Sequence, residues 1–252
     1  MYRWIVLAGL LCACSNDADP SSKGGDGEPE SDISEARDSA ADTGTSGADD
    51  DELRVAATVR LLDPYGPRLS GVSVSDVDSE ARCTTDDRGE CVVDVHRDAD
   101  FQLSVVEESV LEHRLFGTAG AEGFTMISFV ATPQLTNQIY GMLGVVRDRS
   151  KGTVVVGLDN PDLSPATGAS AAIDAESDLV FVLGARLPES GDTLVAGGSS
   201  IVTFVNVPPG PVSVSTTGAE GTTCEVAPAR EAETHTVEAV AGAVSVVTFI
   251  CE

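Results

Sequence analysis

"VRLLDPYGPRLSGVSVSDVDSEARCTTDDRGECVVDV", residues 59–95, is the stretch whose reading sets the architecture of this chain. It opens inside "LRVAATVRLL" (53–62), where Val55, Ala57, Val59 and Leu61 alternate with Arg54, Thr58 and Arg60. A period of two puts every second side chain on one face, the pattern of a half-buried strand. "DPYGPRLSG" then breaks the pattern with turn formers, and "VSVSDV" resumes it. "CTTDDRGEC" reads as two strand ends around an Asp-Asp-Arg-Gly turn, with Gly89 supplying the left-handed position a hairpin needs. "CVVDV" is the next strand.

The same grammar continues outward. "FQLSVV", "TVVVGLD", "SDLVFVLG", "SIVTFVNV", "PVSVSTTG", "THTVEAV" and "AVSVVTFI" are short apolar or alternating runs punctuated by glycine and proline. Many short strands with such turns indicate sandwiches or small barrels. The segment "TPQLTNQIYGMLG" (132–144) reads instead as a short helix or a linker between halves.

Residues 59–95 resemble a carboxypeptidase-regulatory-like domain, a member of the transthyretin-like (prealbumin-like) sandwiches. Asp63, Gly66, Leu69, Gly71, Val72 and Val74 match the first part of that pattern, and Thr85, Asp86 and Gly89 the second. Cys91 stands where the family usually has an inward aromatic. In the second half, "KGTVVVGLDNPDLSPATGASAAID" (151–174) and "TFVNVPPGPVSVSTTG" (203–218) are similar to segments of the same superfamily. There Phe204, Val207 and Val212 are expected to face the core, with Pro208-Pro209-Gly210 as the turn. The resemblance implies an all-β fold: tandem transthyretin-like, carboxypeptidase-regulatory-like β-sandwiches, one over 53–118 and a second over 150–252. Residues 119–149 are then a connector with a short helix. The alternative is one larger sandwich.

The start of the chain has a different character. Arg3 precedes the apolar run Ile5–Leu11, which is too short to span a bilayer as a permanent helix. A charged start, a short apolar run and small residues at its exit read as a secretory signal peptide. Leu11-Cys12-Ala13-Cys14 resembles the bacterial lipobox, with Leu at −3, a small residue at −1 and Cys at +1. On this reading 1–13 is a lipoprotein signal peptide, Cys12 leaves with it, and Cys14 carries the lipid. The competing reading is an ordinary signal peptide with an incidental cysteine. Each buried methylene contributes about 0.8 kcal/mol, so several acyl chains hold a protein stably on a membrane. By the family rule, Ser15 after the lipid cysteine favours the outer membrane of a Gram-negative bacterium.

Residues 15–52 hold one Ile and no other large apolar side chain, and their acids greatly outnumber Lys23 and Arg37. Such a composition cannot offset its ordering entropy, so 14–52 is expected to be a disordered acidic tether. Its "ADDDE" run lacks the spaced ligands and glycine of an EF-hand loop. Across the chain, 41 acidic and 15 basic side chains give a formal net charge of −26. That excess argues against nucleic acid, whose phosphates need Lys and Arg partners.

With Cys12 and Cys14 set aside, Cys83, Cys91, Cys224 and Cys251 remain. An even number in an exported chain suggests disulfides. Sequence locality favours Cys83–Cys91 and Cys224–Cys251 among the three pairings. Because termini fray, reduction is expected to loosen the C-terminal domain, with its last strand, first and to leave the N-terminal fold in place.

Catalytic chemistry has few candidates. His96, His113 and His235 are far apart in sequence, and no HExxH, HxH or GxSxG motif occurs. The superfamily's intradiol dioxygenases hold iron with two Tyr and two His, but Tyr65 and Tyr140 lie in no such cluster. No catalytic, metal or cofactor residues are assigned. Sugar platforms use exposed Trp and Tyr, whereas the single Trp is Trp4. The seven phenylalanines fall mostly in strand patterns and are expected in the core. "DNPDLS" (159–164) and "TDDRG" (85–89) are the candidate calcium loops. The expectation is a non-enzymatic, lipid-anchored surface lipoprotein contacting an envelope or extracellular protein. The alternative is a glycan- or small-ligand-binding lipoprotein.

Overall fold

The computed structural model describes residues 53–63, 69–230 and 232–252. Cys14, the signal and tether segments, and the Tyr65–Gly66 turn lie outside the described residues. The alternating runs form strands in the order β1 (Arg54–Leu62), β2 (Ser73–Asp76), β3 (Arg82–Thr84), β4 (Glu90–His96), β5 (Asp100–Val106), β6 (His113–Thr118) and β7 (Phe124–Phe129). Helix α1 (Pro133–Met142) follows. Then come β8 (Gly152–Asp159), β9 (Ser170–Ile173), β10 (Leu179–Leu183), β11 (Pro188–Ser190), β12 (Ile201–Val207), β13 (Gly210–Thr217), β14 (Cys224–Val226), β15 (Thr234–Ala239) and β16 (Val244–Cys251).

Among the described residues these strands build one ten-stranded sheet, ordered β11-β10-β12-β8-β16-β6-β5-β2-β3 with β14 added on β16, and two three-stranded sheets, β4-β1-β7 and β15-β13-β9. The long sheet runs through both halves of the chain. Two adjacent rows across it show how it is used. Phe181, Thr203, Val155, Val246, Leu115 and Leu103 lie side by side. One residue further along each strand lie Val182, Val202, Val156, Val247 and Phe116. Neighbouring rows point to opposite faces. Leu115 and Leu103 pack with Val59, Leu61 and Val93 of the β4-β1-β7 sheet. Phe116 and Val247 pack with Val212, Val214 and Val237 of the β15-β13-β9 sheet. The two small sheets therefore cover opposite faces of the long one, giving two sandwiches with separate cores.

Helix α1 extends this cover. Its start is signalled by Thr132, whose Oγ1 accepts from Leu135 N at 3.2 Å, and by proline in the first turn. Its end is closed by Gly144 at φ +74° and the Val145 N–H bonded to Tyr140 O. Buried Tyr140 packs edge-on to Phe181 beside Val205, and its hydroxyl bonds Thr153 Oγ1 at 2.7 Å. β10 and β12 are thus covered on both faces, which is why "IVTFVNV" is nearly continuous in apolar character.

Phe204 and Val207 both reach the C-terminal core, although residues three apart on a regular strand point opposite ways. A register shift between Val205 and Val207 resolves this, with Asn206 at φ +57° as the inserted residue. An extra residue of this kind is a β-bulge.

Three sequence expectations are corrected. Residues 83–91 are not a hairpin, because β3 pairs with β2 in the long sheet and β4 pairs with β1 in the small one. Gly89 is still left-handed (φ +72°), and a Cβ there would lie 2.7 Å from Leu61 O. The 119–149 segment holds more than a helix: β7 pairs in parallel with β1 from Ala57 to Leu62. The last strand is also not a fraying edge. β16 pairs with β8 from Val244 to Ile250, and its other side is shared by β6 and β14.

Candidate functional site

Both expected disulfides are present, and they do different work. Cys83–Cys91 joins β3 to β4 with Cα atoms 5.8 Å apart, and so links the long sheet to the small one at their shared flank. Cys224–Cys251 joins directly paired residues of β14 and β16 within one sheet. The first closes one side of the N-terminal sandwich. The opposite side ends in β7, whose outer edge has no partner strand among the described residues.

β7 alternates, with Thr125, Ile127 and Phe129 exposed and Ser128 buried. Phe129 is 56% and Ile127 43% exposed, so Phe129 departs from the expected core position. On the same outer face, register puts Phe129 beside Leu62 and Ile127 beside Arg60. Arg60 is also paired to Glu90 of β4 at 3.4 Å. Val92, 55% exposed, lies across from Thr58 on that face. The result is a strand edge without a partner strand among the described residues, next to exposed Ile127, Phe129 and Val92; an unpaired edge of this kind can accept an added strand.

The histidines are separate and serve the fold. His96 is exposed at the end of β4. His113 is buried; its Nδ1 donates to Leu111 O at 2.7 Å and its Nε2 accepts from Ala131 N at 3.1 Å. Burial pushes its pKa down to about 4. His235 is buried on β15 with Asp100 Oδ1 at 3.9 Å, and burial lowers its pKa against the pull of that carboxylate.

The candidate calcium loops spend their oxygens internally. Asp162 Oδ1 accepts from Ser164 N at 3.0 Å, while Asn160 Nδ2 donates to Ser164 Oγ and Pro165 O. Asp86 Oδ1 accepts from Arg88 N and Glu90 N at 2.8 and 3.0 Å. The Asp162–Ser164 and Asp86–Arg88 bonds are those of Asx turns. Among the described residues no three His, Cys, Asp or Glu side chains group to hold a metal ion. Asp159, mostly buried, has its pKa raised to about 6 by desolvation, opposed by a hydrogen bond from Ser200.

Grooves occur among the described residues at two places of note. One holds about 340 Å³ between β9 and β10, walled by Ala171, Ile173, Val180 and Phe204 with Asp192 at its rim. The other holds about 450 Å³ at the β2–β3 turn and is lined by Asp76, Ser79, Glu80 and Arg82. Asp76 is engaged there by Ser79 Oγ at 2.6 Å.

No protein family and no curated protein matches the chain. Solved structures give weak overlaps. The minor pilin GBS52 of Streptococcus agalactiae aligns over 78% of this chain and 94% of its own, at 10% identity and a TM-score of 0.27. A streptococcal ancillary pilin covers 79% and 63%, at 11% identity and TM-score 0.25. The shaft pilin SpaA of Lactobacillus rhamnosus GG covers 79% and 98%, at 10% identity and TM-score 0.23. Overlaps this low assign no site, and the reading rests on the geometry of this chain.

One polar centre had no motif to announce it. Asn206 is 3% exposed. Its Nδ2 donates to Val146 O and Asp178 Oδ2, both at 2.9 Å, and its Oδ1 accepts from Asp148 N at 2.9 Å. Lys151 Nζ completes the group at 3.1 Å from Asp178 Oδ1. The cluster fastens the chain leaving α1 to β12. Both Lys151 and Asp178 are partly exposed, so the cluster is an anchor and not a desolvated reactive pair. Its only sequence signal is an Asn inside an apolar strand, just before Pro-Pro-Gly.

Proposed function

We propose that this chain is a non-catalytic, lipid-anchored surface lipoprotein whose β-sandwiches make protein contacts in the cell envelope, docking an extended partner strand along β7. The observation that carries this reading is the β7 edge, without a partner strand among the described residues, with Ile127 and Phe129 exposed beside it. Main-chain bonds to an open edge supply affinity, and alternate side chains supply specificity. The anchor is Cys14, from the lipobox-like Leu-Cys-Ala-Cys, and the destination is the outer membrane. The two modules, 53–118 together with β7 (124–129) and 150–252, are carboxypeptidase-regulatory-like and transthyretin-like sandwiches.

The docking test is crosslinked capture from native envelopes with the full chain and its variants. An Ile127→Lys/Phe129→Glu double variant should lose partners that a variant at exposed Leu187 in the C-terminal half, Leu187→Lys, keeps; equal capture by both removes β7 as the site. The anchor is tested by labelling with a palmitate analogue: Cys14→Ser must abolish incorporation. Limited proteolysis between 130 and 150 tests the modules. Because β6 and β16 pair across the halves, cut fragments should stay associated until denatured.

A second reading, as a small-ligand or glycan binder, is favoured by the groove between β9 and β10 alone. A glycan-array hit that disappears in Val180→Arg would support it over strand docking.

A further inference from the structure

We infer that His113 is an acid-operated latch that holds the crossing from β7 to α1 onto the long sheet. The imidazole sits at the first residue of β6 and is 1% exposed. Its two nitrogens have opposite tasks. Nδ1 donates to the carbonyl of Leu111, and Nε2 accepts from the amide of Ala131. Only the neutral Nδ1–H tautomer can do both. Leu111 N also bonds Ala131 O at 3.0 Å, so the ring and one backbone bond tie the two segments together. Ala131 immediately precedes Thr132, the residue that caps α1.

Protonation turns Nε2 into a donor facing another donor. It leaves the Ala131 amide without its acceptor and places a cation in an apolar site, and both changes are costly. Among the described residues no charged side chain offsets that charge. The cross-strand neighbours of His113 are Val105 of β5 and Val244 of β16. β7 and β16 carry no acid or base. The one ionisable group on α1 is Tyr140, bonded to Thr153. On β5, Asp100 lies at the far end of the strand, bonded to Thr118. Arg54 and Arg60 of β1 engage Ser79 and Glu90. Glu112 and Arg114, the chain neighbours of the ring, pair with each other. Asp159 of β8 is at the opposite end of that strand, beside Ser200.

The sign follows from the folded pKa of about 4 against an ordinary 6.5. The latch is fully closed above pH 6.5 and weakens as pH falls from there toward 4. Opening frees 130–143, including the helix that covers Phe181 and Val205. Between pH 7 and pH 5 the opening equilibrium of this segment should rise roughly twenty-fold.

The test is hydrogen exchange on the full chain from pH 7 to pH 5, corrected for intrinsic exchange. The expected result is a rise confined to amides 130–143, absent in His113→Gln, whose amide can donate and accept without titrating. A rise shared equally by β8 and β16, no rise, or a rise that persists in His113→Gln overturns the latch. A ¹⁵N-histidine titration of the unaltered chain decides independently of the variant. His113 must remain a neutral Nδ1–H imidazole at pH 5, and titration near pH 6.5 refutes the proposal.

Discussion

In the N-terminal sandwich a disulfide crosses from one sheet to the other; in the C-terminal sandwich a disulfide joins two neighbours within a sheet. The contrast follows from what surrounds each. Beside Cys83 and Cys91 two sheets end together, joined by the turn at 85–89. Cys251 ends a strand already paired on both sides. The N-terminal sandwich also leaves β7 without a partner strand on its outer side among the described residues, whereas over the C-terminal half α1 covers the face that the small sheet does not reach. The half whose two sheets meet at a shared flank has the cross-sheet staple and the strand edge without a partner among the described residues.

The largest expected effect tests whether the halves are separable. Phe249 on β16 is fully buried, and Phe249→Ala should cost about 3–5 kcal/mol in transfer and cavity terms. Because β16 also pairs with β6, protection should fall in β1 as well as in β13, measured by hydrogen exchange in denaturant. Leu103→Ala, in the first core only, should cost about 2–5 kcal/mol and spare β13. Loss confined to one half in both variants would show that the shared sheet does not couple them.

Removing the disulfides sharpens the contrast. On loop-closure entropy, Cys83–Cys91 contributes about 2–3 kcal/mol and Cys224–Cys251 about 3–4 kcal/mol. The local pattern should run the other way. Reduction should expose amides at 82–92 first and leave 244–250 protected, the reverse of what chain position alone suggests. Earlier loss at 244–250 would mean that β16 depends on its disulfide despite its two neighbours.

Next in size is the bulge. Asn206→Ala removes three buried hydrogen bonds and places alanine at positive φ, and should destabilise by about 2–3 kcal/mol in urea titration. Asn206→Asp keeps the tolerance for that backbone but sets a carboxylate against Asp178, so it should do no better at pH 7. Rescue by Asp would discount the role of the amide.

The smallest effect is electrostatic. Asp159 has a folded pKa of about 6, above the ordinary 3.8. Its favourable contribution is therefore complete below the ordinary value and is lost as pH rises through 6. Asp159→Asn should stabilise the chain above pH 7 by on the order of 1 kcal/mol, after discount for solvent access, with no gain near pH 4. A gain that is independent of pH would assign the effect to packing.

Strands are legible where one face is wet. Val55, Ala57, Val59 and Leu61 announce β1 because polar residues separate them, and the helix over 133–142 is marked by Thr-Pro at its start and Gly144 after its end. The local cysteine pairs are legible because spacing limits their partners. What each pair joins is not, since 83–91 looks like a hairpin until the sheet assignment of both flanks is known. The joining of the halves through β6 and β16 depends on residues more than a hundred positions apart, and no local period encodes such a pairing. The same holds for the docking edge. "FTMISF" reads as a strand by itself, but whether its edge is open and whether Phe129 faces water are decided by which strands lie beside it. His113 shows the limit most clearly: its residue type is visible in the chain, but the opposed demands on its two nitrogens arise only when Leu111 and Ala131 are brought to either side of the ring.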